Sequence, residues 1–317
     1  MPMDLKTLND LVAGFRPARV LHVACSLNIF TILSGGVMLA AQLAARCQAK
    51  PDQLEKLLIA CTAMGLLEKN GDSWANTDFA KTYLVEGAEL YQGHIIAHSA
   101  SLWDFWGELE DAVRLENVPR PEPDAHRNFI MGMHNIAASG RAKWLANAAD
   151  LTGRKQLVDI GGGPGTYSIE LCRQFPGLRA IIFDLPETAA IAREVIGRAH
   201  IQDRVTVRPG SWDTDDFGTG NDVALISNVL HGPASNARMK LGKAFRSMTP
   251  GGLLIIQDFI LNADKTGPLI PAIFNIMLGA YSRPELFALI GQARFVRPRV
   301  AACSEESGQT VIVAEKP

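Results

Sequence analysis

The chain has 317 residues, 47% hydrophobic and 20% charged, with a formal net charge of −2. That balance gives one large or two ordinary globular domains with sizeable cores, and excludes a disordered chain and any general attraction to nucleic acid or membrane. Five cysteines (Cys25, Cys47, Cys61, Cys172 and Cys303) lie scattered without a C-x-x-C pair, which reads as free thiols in a reducing cytoplasm.

From the N-terminus, residues 20–45 carry no charge over a length that suits a membrane span. Polar His22, Ser26, Asn28, Thr31, Ser34 and Gln42 interrupt the run, and Gly35-Gly36 breaks its middle. The prediction is two buried helices joined by a glycine turn, with no basic segment ahead in signal-peptide form. Residues 39–47 and 51–67 repeat apolar side chains at i, i+3 and i+4, with Pro51 at a helix start and Gly65 at a stop. Asn70-Gly71 then signals a hairpin. Helices followed by a small hairpin predict a winged helix over residues 1–100. Its rival function, DNA binding, is opposed by charge: residues 39–81 hold five bases and five acids, and the would-be recognition helix has Lys56 as its one base. The apolar helices of residues 8–45 are better suited to burial against a second copy.

Residues 101–150 predict a helical linker bearing substrate-pocket helices, with 128–150 helical and packed under a cofactor site. His94 and His98 have the i, i+4 spacing of metal ligands but no third ligand within reach, so no metal is expected. From 151 to 317, strands at 157–160, 180–183, 205–207, 223–227, 252–257 and 310–314 alternate with helical segments in most intervals, the pattern of an open doubly wound α/β sheet.

The first of these strands ends in Asp159 and opens into Gly161, Gly162, Gly163 and Gly165. Glycines there turn the chain sharply and let backbone N–H groups approach a ligand at the start of a helix. The spacing is not G-x-G-x-x-G, and an acid just before the loop repels phosphate while attracting an ammonium group. Asp184 ends the second strand, where a carboxylate accepts ribose hydroxyls. An amino acid group, a ribose and no phosphate together describe S-adenosylmethionine.

At this point the chain resembles the two-domain, dimeric small-molecule O-methyltransferases, the class of plant caffeate and acetylserotonin methyltransferases and many bacterial enzymes. Leu27-Asn-Ile-Phe-Thr-Ile-Leu33 is similar to the family's L-x-I-F-x-x-L, Val158 to Gly165 to its V-D-[VI]-G-G-G-x-G, and Phe183-Asp-Leu-Pro186 to its F-D-L-P. Val229-Leu-His231 and Pro250-Gly-Gly-Leu-Leu-Ile255 complete the likeness over nearly the whole chain. It implies a Rossmann-like methyltransferase sheet behind a mostly helical winged-helix dimerisation domain, and a homodimer acting on a small molecule, not on nucleic acid or membrane. Gly161, Gly163 and Gly165 would line the methionine, Asp184 and Leu185 the ribose and adenine. Ser211 and Trp212 occupy the adenine position, where Ser211 replaces the usual acid. Ser227 would face the cofactor from the fourth strand.

His231 stands where the family has its catalytic histidine, a residue that titrates near neutrality and can take a hydroxyl proton. Asp258 occupies the first acidic position beside it. The departures cluster here. His231-Gly232-Pro233 replaces His-Asp-Trp, and Ser282 stands at the second acidic position, with Glu285 three residues late. Trp103, Phe129, Met133, His134, Phe274 and Met277 are the expected substrate contacts, an apolar set suited to a flat aromatic or polyketide-like acceptor. O-methylation is the reading; C- or N-methylation, or cofactor binding without turnover, remain alternatives that an assay on phenols separates.

Overall fold

A computed structural model describes residues 3–114 and 125–317, so residues 115–124 of the expected linker lie outside the described residues. The chain forms two units, Met1–Ile136 and Ala137–Pro317.

In the first unit, helices Leu5–Ala13, Phe15–Ser26, Ile29–Leu33, Ala40–Cys47 and Pro51–Ala63 precede a wing. The wing is a three-stranded antiparallel sheet of β1 (Met38–Leu39), β2 (Leu67–Asn70) and β3 (Ser73–Asn76), in the order β1-β3-β2. Trp74, Phe30, Leu43, Leu58 and Ala24 fill its core, and Asn76 Nδ2 donates to the Phe30 carbonyl at 2.8 Å. Two sequence expectations need correction. Residues 20–45 hold parts of three helices, not two, because Asn28 adopts a left-handed φ of 56° and breaks the first run before Gly35-Gly36 is reached. The hairpin turn is Gly71-Asp72, since Asn70 pairs with Ser73; Gly71, at φ 61°, takes the first turn position that glycine favours. Helices Gly93–Ser101 and Ala125–Ile136 then pack together, with Gly132 held close to Ile95.

The second unit carries β4 (Gln156–Ile160), β5 (Arg179–Asp184), β6 (Val205–Pro209), β7 (Asn221–Ser227), β8 (Met248–Phe259), β9 (Val296–Ser304) and β10 (Gln309–Glu315). Their order is β6-β5-β4-β7-β8-β10-β9. All pairs are parallel except those of β10, which runs antiparallel to β8 and β9. Buried on both faces, the inner parallel strands read as the apolar runs seen in the sequence. The edge strand β9 was not among the expected strands. Its Arg297-Pro298-Arg299 start is polar and half-exposed, and proline is confined to such edges. Strand order reverses between β4 and β7, and ligands of open α/β sheets bind at the carboxyl ends of strands at such a point.

The expected 128–150 helix is divided. Helix Ala125–Ile136 ends the first unit, and a π-helical turn over Ala137–Arg141, with Gly140 at φ 130°, opens the second. Helix Ala142–Ala148 then packs on helix Thr166–Gln174, the helix that follows the glycine loop, and Gln174 Nε2 donates to the Ala146 carbonyl.

Candidate active site

The glycine loop joins β4 to helix Thr166–Gln174. Gly161, Gly163 and Gly165 have φ of 68°, 55° and 78°, a conformation that L side chains rarely adopt. A Cβ at Gly161 would lie 2.7 Å from Val229 and 3.1 Å from Trp212, and one at Gly162 2.6 Å from the Asp159 carboxyl carbon. The loop is therefore packed from below, leaving its backbone as the surface a ligand meets.

Asp159 is that packing. It is 1% exposed, its Oδ2 accepts from Ser168 at 2.7 Å, and its Oδ1 has no hydrogen-bond partner among the described residues. Burial pushes its carboxyl up to about 7, against the lowering hydrogen bond from Ser168. The acid expected to attract an ammonium group thus sits beneath the loop and is packed against it at Gly162. Asp184 ends β5 as expected. Its Oδ2 accepts from Gly163 N and its Oδ1 from Leu185 N, each at 2.8 Å. A carboxylate offers about four lone-pair sites and accepts from several donors at once. Leu185 is 37% exposed at the start of the next helix.

Ser211 and Trp212 lie in the turn after β6. Ser211 Oγ accepts from Asp213 N and Ser211 N donates to Asp215, so the serine shapes this turn. Trp212 stands against the glycine loop with the ammonium of Lys240 4.0 Å from its ring centroid. Lys240 is 4% exposed, and its Nζ also donates to the Val229 carbonyl. Burial lowers its pKa, opposed by the charges of Asp213 and Asp258. The sequence offered no signal for Lys240, because a lysine on an amphipathic helix reads as solvated.

His231 and Asp258 meet. Nδ1 of His231 is 2.8 Å from Asp258 Oδ1, with the two side chains 19% and 3% exposed. Asp258 is itself fixed: Oδ1 accepts from Phe259 N at 2.8 Å, and Oδ2 accepts at 3.0 Å from Leu230 N, directly before the histidine. Phe259 lies 6.4 Å from the His231 ring, and Phe274 stacks on Phe259 at 4.1 Å with 11° between planes. Phe274 is thereby brought to the histidine, with Met277 one turn later on helix Leu269–Leu278.

The departures around His231 have a structural reason. Gly232 has φ 52°, and a Cβ there would lie 2.9 Å from Gly279 Cα, itself in a glycine with φ 77°. Two left-handed glycines in contact leave no room for the usual aspartate. Glu285 is not a second partner for the histidine. It forms a capping box with Ser282, whose N and Oγ each donate to it at 2.8 Å, and it pairs with Lys265.

The other expected substrate contacts lie in the first unit. Phe129 packs on His98 at 5.0 Å, while Met133 and His134 are half-buried on helix Ala125–Ile136. Trp103 is held against Phe15 and His22 with the Arg19 guanidinium 4.8 Å from its ring, a packing role on the first helices. His94 bonds Asn128 at 3.0 Å.

Ser227, Asn228, Tyr167 and Gln257 form a polar network at the strand ends. Gln257 Nε2 donates to the Tyr167 hydroxyl at 2.9 Å, and Asn228 Nδ2 to Ser227 Oγ at 3.2 Å. Of these only Ser227 was expected from the sequence. The cradle without Cβ atoms, the acid beneath it and the acid at the end of β5 fit S-adenosylmethionine.

Residues 115–283 match the family model of the O-methyltransferase domain, and residues 9–86 that of the O-methyltransferase dimerisation domain. The chain is 32% identical over 290 residues to 3-hydroxy-5-methyl-1-naphthoate 3-O-methyltransferase of Streptomyces sahachiroi, across 87% of this chain and 84% of that one. It is 28% identical over 328 residues to the tetracenomycin polyketide synthesis 8-O-methyl transferase TcmO of Streptomyces glaucescens, across 97% and 96%. Human N-acetylserotonin methyltransferase, solved in complex with SAM, shares the fold at a TM-score of 0.85 and 23% identity, over 99% of this chain and 98% of that one. The chain belongs to the S-adenosylmethionine-dependent O-methyltransferase family and carries both its dimerisation domain and its methyltransferase domain.

Proposed function

We propose that this methyltransferase acts on a hydroxyl of a small aromatic or polyketide-like molecule, as a cytoplasmic homodimer, with His231 as general base. The observation that carries the reading is the 2.8 Å contact of His231 Nδ1 with a buried, doubly anchored Asp258 at the carboxyl edge of the sheet. With Nδ1 committed to Asp258, Nε2 is the nitrogen that takes the acceptor's proton, and Asp258 stabilises the imidazolium that results. Phe259 and Phe274 supply flat apolar surface beside it. Gly161, Gly163, Gly165, Asp184, Leu185, Ser211, Trp212 and Ser227 would hold S-adenosylmethionine, with Asp159 supporting the loop. When bound, that group supplies an electrophilic methyl on a sulfonium. Met277 is a proposed acceptor contact of the second unit, and Phe129, Met133 and His134 are proposed contacts of the first.

The two relatives named above are O-methyltransferases of a naphthoate and of tetracenomycin synthesis, which supports a polycyclic phenol as acceptor. The dimer reading rests on the matched dimerisation domain and on Leu8, Leu11, Val12 and Phe15, which are 49–63% exposed. All five cysteines are unpaired, which suits a reducing compartment. The test is turnover of labelled methyl donor with a panel of phenols. Methylated product with release of S-adenosylhomocysteine is expected; binding of the donor without turnover on any hydroxyl would overturn the reading.

A further inference from the structure

Lys240 sits in helix Ala237–Ser247, which follows the histidine turn, and is 4% exposed. Among the described residues no carboxylate lies within ion-pairing distance of it. A buried ammonium without such a partner is unfavourable, and an apolar side chain would fill the same space without that penalty. Two contacts hold it. The ammonium lies 4.0 Å from the Trp212 ring centroid, and Nζ donates to the Val229 carbonyl at 3.3 Å. That carbonyl shares a peptide group with Leu230 N, which donates to Asp258 Oδ2 at 3.0 Å. The Val229–Leu230 peptide is thus gripped at both ends, its oxygen by a buried cation and its N–H by a buried carboxylate. Asp258 Oδ1 continues the chain to His231 Nδ1 at 2.8 Å. One turn along the helix, Lys243 Nζ donates to the carbonyls of Trp212, Asp213 and Asp215 at 2.6, 3.3 and 3.0 Å. Lys243 therefore already fastens the turn after β6 to this helix, and what distinguishes Lys240 is its reach to the peptide beside the histidine.

We propose that Lys240 is a positioning residue for methyl transfer: through the Val229–Leu230 peptide it fixes the Asp258–His231 pair, and its charge favours the unprotonated form of the base. This rests on His231 being the general base. The charged groups that face Lys240 are Asp213, from the turn after β6, and Asp258, from β8. Those that act on His231 are Asp258 and Lys240, and helix Leu269–Leu278, which brings Phe274, carries no titratable residue. Helix Arg283–Gln292 also packs on the lysine's helix and bears Arg283 and Glu285, of which Glu285 is committed to Ser282 and Lys265. Burial and the Lys240 charge lower the His231 pKa, while the hydrogen bond and charge of Asp258 raise it. The lysine and the aspartate thus set the proton affinity of the base in opposition.

The test follows the His231 imidazole by NMR titration of histidine-labelled protein, its resonance assigned by loss in His231→Ala, beside the pH profile of kcat on a phenol that the enzyme methylates. Lys240→Met should move both to higher pH, because the repelling charge is gone while burial is kept. Its plateau kcat should fall by about 10- to 100-fold with KM little changed, the scale of a displaced catalytic group. Lys240→Gln, neutral but polar, should move both in the same direction. Lys240→Arg keeps the charge and should titrate as the wild type does. Lys243→Met is the control, expected to lower Tm and leave the titration in place. A His231 titration unchanged in the neutral variants, or moved down toward 6.5 as in a loosened and solvated histidine, would make Lys240 structural and overturn the proposal. Loss of folding in both neutral variants would do the same. An acid limb of kcat that survives in His231→Ala would instead overturn the general-base reading, and this proposal with it.

Discussion

At the scale of single residues, the His231–Asp258 pair sets how activity depends on pH. Burial alone would lower the His231 pKa. The hydrogen bond and charge of Asp258 and the Asn228 carbonyl outweigh it against the opposing charge of Lys240, so His231 titrates above the ordinary value of 6.5. A base works only when unprotonated, so kcat should fall as pH drops through this raised pKa, and the acid limb should lie above pH 6.5. His231→Ala should lower kcat by about 10²–10⁴ and abolish that limb, with S-adenosylhomocysteine affinity unchanged. In Asp258→Asn the charge that raises the pKa is gone, so the limb should move to lower pH while kcat falls through lost orientation. Full activity of His231→Ala on every acceptor at neutral pH would remove the histidine from the mechanism. Asp184 makes the second residue-scale prediction. Asp184→Ala loses the acceptor for Gly163 N and the proposed ribose contacts, so calorimetry should show affinity for S-adenosylmethionine weaker by about 1.5–3 kcal/mol. Unchanged affinity in the folded variant would refute the ribose assignment.

At the scale of elements, the glycine loop is shaped as much by what lies under it as by its own dihedral angles. Gly162 has an ordinary φ, yet a Cβ there would press on the Asp159 carboxylate at 2.6–3.0 Å. Asp159 is held by Ser168 and enclosed, so it cannot yield. Gly162→Ala should therefore cost about 1–3 kcal/mol of stability, as overpacking does, and displace the loop enough to weaken S-adenosylhomocysteine. Gly177→Ala is the control, since its Cβ would meet nothing nearer than Lys155 Nζ at 3.7 Å. A Gly162→Ala protein with wild-type Tm and affinity would show that the loop is not packed in this way. The same logic governs the histidine turn, where Gly232 against Gly279 substitutes close backbone contact for the side-chain support that the family's Asp and Trp imply.

At the scale of the whole molecule, the first unit leaves apolar surface that its own core does not cover. Leu11 and Val12 are each 63% exposed and Phe15 is 55% exposed. Beside them Phe15, Arg16, Arg19, Val20, Val23 and Leu57 line a groove of about 310 Å³. Exposed apolar surface of this kind is the proposed dimer interface. Light scattering should find a dimer at micromolar concentration, with an interface above about 2,000 Å², the obligate class. Leu11→Asp with Val12→Asp should yield monomer, because burying two carboxylates at such a seam is costly. Wild-type protein that runs as a stable monomer would refute the interface.

Sequence alone determined the α/β class with its parallel strands and the glycine loop after the first of them, and it singled out Asp184, His231 and Asp258 as candidates. These follow from local rules: buried parallel strands must be apolar runs, a loop with left-handed residues demands glycine, and strand ends carry the acids. Whether a polar side chain on a helix or strand points inward was decided only by the tertiary structure, since periodicity does not report the neighbour across a sheet edge. Tyr167, Lys240 and Gln257 were invisible for that reason, although their hydrogen bonds lie at the site. The same holds for β9, whose polar edge hid a strand, and for Asn28, whose left-handed turn no pattern announced. Glu285 shows the converse. Its position suggested a displaced catalytic acid, but the backbone N–H of Ser282 and the nearby Lys265 claim its carboxylate, and helix capping satisfies a charge that the sequence alone leaves open.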